Sequence, residues 1–170
     1  MNFCSAATDA AFMEQALAQA REAAALDEVP VGAVIVRNGT ILSSGHNARE
    51  AAQSPLAHAE ILAIEKAATR LQSWRLTGCD LYVTLEPCIM CVGAMIQARI
   101  RRLVFGCYDA KAGAVKSLYS LADDPRLNHR IAVTGEVLAA DSGALLSDFF
   151  SDLRQKKKET PPAQKSPSPA

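Results

Sequence analysis

Over residues 8–26 apolar side chains recur at helical spacing, with Phe12, Ala16, Leu17, Ala20 and Ala24 on one face and Thr8 or Asp9 placed to cap the start. This pattern predicts an amphipathic helix. Residues 31–37 and 41–47 follow as two apolar-rich runs separated by Asn38-Gly39, the pair best able to take the positive φ angles of a tight hairpin turn. They read as antiparallel strands. Ser54-Pro55 then breaks the chain, and residues 58–71 return to helical spacing through Ile61, Leu62, Ile64, Ala68 and Leu71. A strand is predicted over 80–85, a helix over 88–98 and a strand over 102–107. After a polar stretch come a weak strand over 130–137 and a closing helix over 142–153. A hairpin followed by alternating helices and strands describes an α/β protein with a mixed five-stranded sheet and helices on both faces.

With 170 residues, 49% of them hydrophobic, the chain is sized for one domain with a real core. The apolar pattern stops at Leu153, and residues 151–170 hold five basic side chains against two acidic ones, with four of the eight prolines. The expected division is a folded domain over 1–154 and a disordered, basic, proline-rich tail over 155–170. Lys+Arg and Asp+Glu each number 18, so the chain is neutral overall. Contact with nucleic acid then requires basic residues gathered on one face or contributed by two subunits. No apolar run approaches the roughly 18 residues needed to cross a bilayer, and no cationic stretch precedes an apolar one near the start. Five cysteines, an odd number without such a signal, suit a reducing compartment, and the expected location is the cytoplasm.

Two short elements carry chemistry. One is His58-Ala59-Glu60 at the start of the second helix, and the other is Pro87-Cys88-Ile89-Met90-Cys91 at the start of the third. Cysteines three apart lie about 300° around a helix, so both sulfurs share a face and can hold one ion. The helix dipole at that end favours thiolate. Alone, a Cys-x-x-Cys pair could equally be a redox site. With His58 as a third ligand, tetrahedral zinc keeps one position open for water, which is the ligand count of a catalytic centre rather than a structural one. Glu60, two residues after His58 and about 200° around the helix, reaches the same ion only if the ion lies beyond the helix end. In the deaminases that flip a base out of its stack, this signature pairs zinc with a glutamate that moves protons and is not a ligand, the role assigned to Glu60.

The sequence resembles the cytidine-deaminase-like superfamily, and within it the bacterial tRNA-specific adenosine deaminases. The likeness runs through Glu28-Val29-Pro30-Val31-Gly32-Ala33-Val34, Ala57-His58-Ala59-Glu60-Ile61, the stretch LYVTLEPCIMCVGAMIQARIRRLVFG at 81–106, Asp109-Ala110-Lys111, Asn128-His129-Arg130 and Leu145-Leu146-Ser147-Asp148-Phe149-Phe150. It covers about residues 9–152. The resemblance implies a three-layer α/β/α sandwich, one zinc per chain, a homodimer, and conversion of the wobble adenosine in the anticodon stem-loop of an arginine tRNA to inosine. It also implies that Asn47 holds the flipped base and that Asp109, Lys111 and Phe149 touch the anticodon loop. Ser54-Pro55-Leu56 and Cys107-Tyr108 depart from the family pattern, and the departures bear on contacts to flanking nucleotides rather than on the metal chemistry. A deaminase of a free base or nucleoside (cytosine, guanine or cytidine) would use the same four zinc-site residues. A noncatalytic RNA-binding scaffold could keep the zinc but would have no use for Glu60. The apolar residues Ile89, Val92, Met95 and Ile96 offer the third helix as a dimer surface, unless all of them are core.

Overall fold

A computed structural model describes residues 6–159. Its elements are α1 (Ala6–Ala25), β1 (Gly32–Arg37), β2 (Thr40–His46), α2 (Ala59–Leu71), β3 (Cys79–Leu85), α3 (Ile89–Ala98), β4 (Arg102–Cys107), β5 (Ala132–Thr134) and α4 (Ala139–Glu159). The strands form one sheet in the order β2-β1-β3-β4-β5. β1 runs antiparallel to both neighbours, while β3, β4 and β5 are parallel. The hairpin closes as its sequence demands, with Asn38 at φ 51° and Gly39 at φ 74° between the paired Arg37 and Thr40.

Alternation along the strands sorts side chains into two layers. Ala33, Ile35, Leu81, Val83, Leu103 and Phe105 face the side covered by α2 and α3, where the larger core lies. Val34, Val36, Tyr82 and Val104 face α1, joining Met13 and Ala16. The result is the three-layer sandwich. Two glycines set how closely helices approach the sheet: a Cβ on Gly32 would run into the Ala16 carbonyl and Ala20 amide of α1, and one on Gly45 would sit 2.6 Å from the Ala59 carbonyl of α2.

The closing elements differ from expectation. β5 has only three residues, because Glu136 and Leu138 adopt positive φ and turn the chain directly into α4. α4 runs to Glu159, so residues 155–159, assigned to the tail from sequence, continue the helix. Apolar periodicity ends at Leu153, but Arg154, Gln155 and Lys156–Lys158 are strong helix formers whose charge suits a helix C-terminus. Lys156 also reaches Asp27 beyond the end of α1 at 3.0 Å. The remainder of the expected tail, 160–170, lies outside the described residues, as does Cys4. No described helix is long and apolar enough to cross a membrane.

Candidate metal centre and active site

α2 and α3 begin on the same face of the sheet, α3 directly after the carboxyl end of β3. Crevices at the carboxyl ends of strands are where open α/β sheets bind ligands. His58 is the N-cap of α2 and Cys88 the N-cap of α3, both in extended conformation, and neither side chain caps its own helix. Each is turned across the gap instead. The loop delivering His58 is tied at both ends, by Asn47 N–H to the Val31 carbonyl (2.9 Å) and Ala48 N–H to the Ala57 carbonyl (3.0 Å).

His58 Nδ1 lies 3.8 Å from Cys88 Sγ and 3.5 Å from Cys91 Sγ, and the two sulfurs are 3.7 Å apart. Tetrahedral zinc with its usual bond lengths would space two sulfurs about 3.8 Å apart and a nitrogen about 3.5 Å from each sulfur. The triangle therefore has the size and donor chemistry of a zinc site with one position left open. Among the described residues this is the one cluster of three metal-ligating side chains. The contacts with Cys91 and His58 lower the Cys88 thiol to about 3, in the direction the helix N-terminus also favours. The Cys91 thiol is raised by its bond to Cys88 and by burial. The hydrogen bond to Cys88 raises His58.

Glu60, in the first turn of α2, is only 4% exposed, and its burial pushes the carboxyl above the usual carboxylate range. With His58, Cys88, Asn47, Asp109 and Ala112 it lines a cavity of about 200 Å³, whose apolar wall is Val29, Val31 and Leu85. The His-x-Glu spacing works because the cavity lies beyond the helix end.

The remaining predicted site residues divide. Asn47 is buried, and its Nδ2 donates to Glu28 at 3.1 Å; a carboxylate can only accept, so Glu28 dictates which end of the amide faces it. Asp109 reaches the cavity, with Oδ1 accepting the amides of Lys111 (2.9 Å) and Ala112 (3.2 Å) in a turn of its own. Lys111 is exposed and contributes its backbone amide to that turn. Phe149 lies on α4, in a neighbouring cleft of about 250 Å³ that shares Val29, Asn47 and Arg49 with the first. Glu28, Arg49 and Glu86 are the residues a search for ligands passes over. Two of them are charged side chains buried inside apolar motifs, at Glu28-Val29-Pro30 and Leu85-Glu86-Pro87, and that burial of charge is the signal.

Other polar side chains are engaged within the fold: His129 Nε2 donates to the Ile100 carbonyl (2.7 Å), Arg99 to Asn128 (2.8 Å), Arg101 to Asp80 and Arg102 to Asp9. Cys79 is buried.

The profile of the cytidine and deoxycytidylate deaminase zinc-binding region matches residues 6–107, which contain all four zinc-site residues. The chain belongs to this deaminase family. The tRNA-specific adenosine deaminase of Bacillus subtilis (strain 168) is 46% identical over 150 residues, 88% of this chain and 93% of its own. Among solved structures, one from work on A-to-I editing by tRNA:A34 deaminases at the wobble position of transfer RNA is similar with a TM-score of 0.77. That protein is 44% identical, over 79% of this chain and 98% of its own. A guanine deaminase from Nitrosomonas europaea shares the fold at a TM-score of 0.70, with 27% identity over 84% of each chain.

Proposed function

We propose that this chain, in the cytoplasm and as a homodimer with one zinc per subunit, deaminates adenosine to inosine at the wobble position of a tRNA anticodon, an arginine tRNA being the expected substrate. The observation that carries the reading is the His58, Cys88 and Cys91 triangle with buried Glu60 on the same small cavity. The identity to a tRNA-specific adenosine deaminase over most of both chains supports the choice of substrate. A cavity of about 200 Å³, below the roughly 300–1,000 Å³ of drug-sized sites, suits a single flipped base with the rest of the RNA outside.

His58, Cys88 and Cys91 would hold the zinc, which when bound supplies a Lewis acid able to bring the pKa of water down to about 7. Glu60 does the proton work. Its carboxyl takes a proton from the attacking water, passes it to the ring nitrogen beside the amine-bearing carbon, and assists the departing ammonia, so adenosine and water become inosine and ammonia. A carboxyl raised by burial takes that proton more readily than an ordinary carboxylate does. Asn47, fixed by Glu28, offers hydrogen bonds to the base edge, and Arg49 with Phe149 extends the surface toward flanking nucleotides. The four free cysteines among the described residues fit a reducing compartment.

The similarity to a guanine deaminase and the small cavity favour one other reading, deamination of a free base or nucleoside. Ammonia release measured with folded arginine tRNA, free adenosine, cytidine, cytosine and guanine separates the two. Turnover of the tRNA with inosine at the wobble position supports the proposal, and turnover confined to a free base or nucleoside overturns it.

A further inference from the structure

Glu86 follows β3 directly and is 2% exposed. It borders the cavity, yet both of its oxygens are turned to the protein. Oε1 accepts the amides of Val115 (3.0 Å), Lys116 (2.7 Å) and Ser117 (2.9 Å). Oε2 accepts the amide of Asp109 (3.1 Å) and the hydroxyl of Ser117. Five donors thus fill a group with about four lone-pair sites, leaving nothing to offer a ligand. The next two residues continue the attachment: the Pro87 carbonyl accepts the Ala114 amide (2.8 Å), and Cys88 bridges to Gly113. Gly113 has no room for a side chain, because a Cβ there would collide with the Glu86 carboxyl.

Residues 86–88 therefore hold 109–117 along one seam. On one side of the seam is a metal ligand, Cys88, and on the other are Asp109 and Ala112, which form the cavity wall. We infer that Glu86 is a positioning residue: its carboxylate sets where the wall formed by residues 109–112 stands relative to the metal ligands, and so governs how the substrate base and its neighbours are placed. The inference rests on the tRNA reading above.

The test compares the parent with Glu86→Gln, Ser117→Ala and Asp9→Asn, the last weakening the fold at α1, on the opposite face of the sheet. In Glu86→Gln one oxygen still accepts the three successive amides, but the new amide nitrogen faces the Asp109 N–H. Zinc content, amide exchange over 109–117, and KM and kcat on tRNA are measured for each. In Glu86→Gln zinc should be unchanged, exchange over 109–117 at least about tenfold faster, and kcat/KM about 10 to 100-fold lower, mostly through KM, as expected when a positioning wall shifts on the ångström scale. Ser117→Ala should move both readouts less, in the same direction. Asp9→Asn should leave KM unchanged and raise exchange over 109–117 no more than it does in the rest of the core.

Unchanged exchange, a KM within twofold of the parent, or an equal KM rise in Asp9→Asn would each overturn the inference. Should Glu86→Gln not fold, Ser117→Ala decides: exchange over 109–117 faster than in the parent supports the inference, and unchanged exchange overturns it. A parent inactive on tRNA rejects the substrate reading alone. Exchange still judges the seam, and KM is then measured on whichever base the parent converts.

Discussion

At the scale of single residues the proposed mechanism divides its work between three ligands and one carboxyl, and the two roles predict different failures. Glu60→Gln should keep zinc and tRNA binding and lose about 100 to 10,000-fold in single-turnover rate, toward the upper end because one carboxyl serves several proton transfers. A rate within tenfold of the parent would contradict this. Cys88→Ala should lose the metal by elemental analysis, since two remaining ligands do not hold a tetrahedral ion well. These four residues are legible in the sequence because spacing at a helix start translates directly into geometry. Asn47 is legible only through the family resemblance: an asparagine after a strand is ordinarily a turn former, and what makes it more here is Glu28, 19 positions away. Glu86 escapes a reading by motif because its partners at 109 and 115–117 are brought to it only by the tertiary fold.

At the scale of elements, helix periodicity and the Asn-Gly turn suffice for α1, the hairpin, α2, β3, α3 and β4. Their ends differ from expectation by a residue or two, the usual looseness of helix and strand ends. The reading weakens where packing is thin. β5 pairs only through Ala132, Val133 and Thr134, and the last turns of α4 have no apolar stripe to reveal them. Three of the four apolar residues proposed as a dimer face on α3, Val92, Met95 and Ile96, are buried in the subunit's own core, and only Ile89 remains exposed. Periodicity reports that a face is apolar and not which partner covers it. Close packing of α1 on β1 predicts that Gly32→Ala destabilises by about 1–3 kcal/mol, because the obstructing atoms are helix backbone that cannot rotate aside. A denaturant midpoint lowered at unchanged slope would show it.

For the whole molecule, the sheet and α1 are joined by a buried ion pair. Arg102 on β4 meets Asp9 of α1 through two bonds of 2.9 and 2.7 Å, and the Tyr82 hydroxyl adds a third at 2.8 Å. Breaking such a pair from one side leaves a charge buried, so Asp9→Asn should lower stability by roughly 3 kcal/mol, the small end of the range because an amide oxygen still accepts. Equilibrium unfolding measures this. Ile89, next to Cys88 in the chain, and Leu118 and Tyr119, shortly after the Gly113 that bridges to Cys88, are exposed apolar side chains. The homodimer proposed above should use them. Sedimentation at micromolar concentration should give twice the 18.1 kDa chain mass, and a monomer would refute the assembly.

His58 and Cys88 stand where a helix ordinarily wants Ser, Thr, Asp or Asn, and neither caps the helix it begins. An ordinary cap is worth about 0.5–2 kcal/mol, so the metal-free chain forgoes that contribution twice. Engineering for heat resistance by helix-end statistics alone would choose these two positions first and would gain a sturdier protein without chemistry. Stabilising changes are better sought on the far side of the sheet, where no ligand depends on a helix beginning badly.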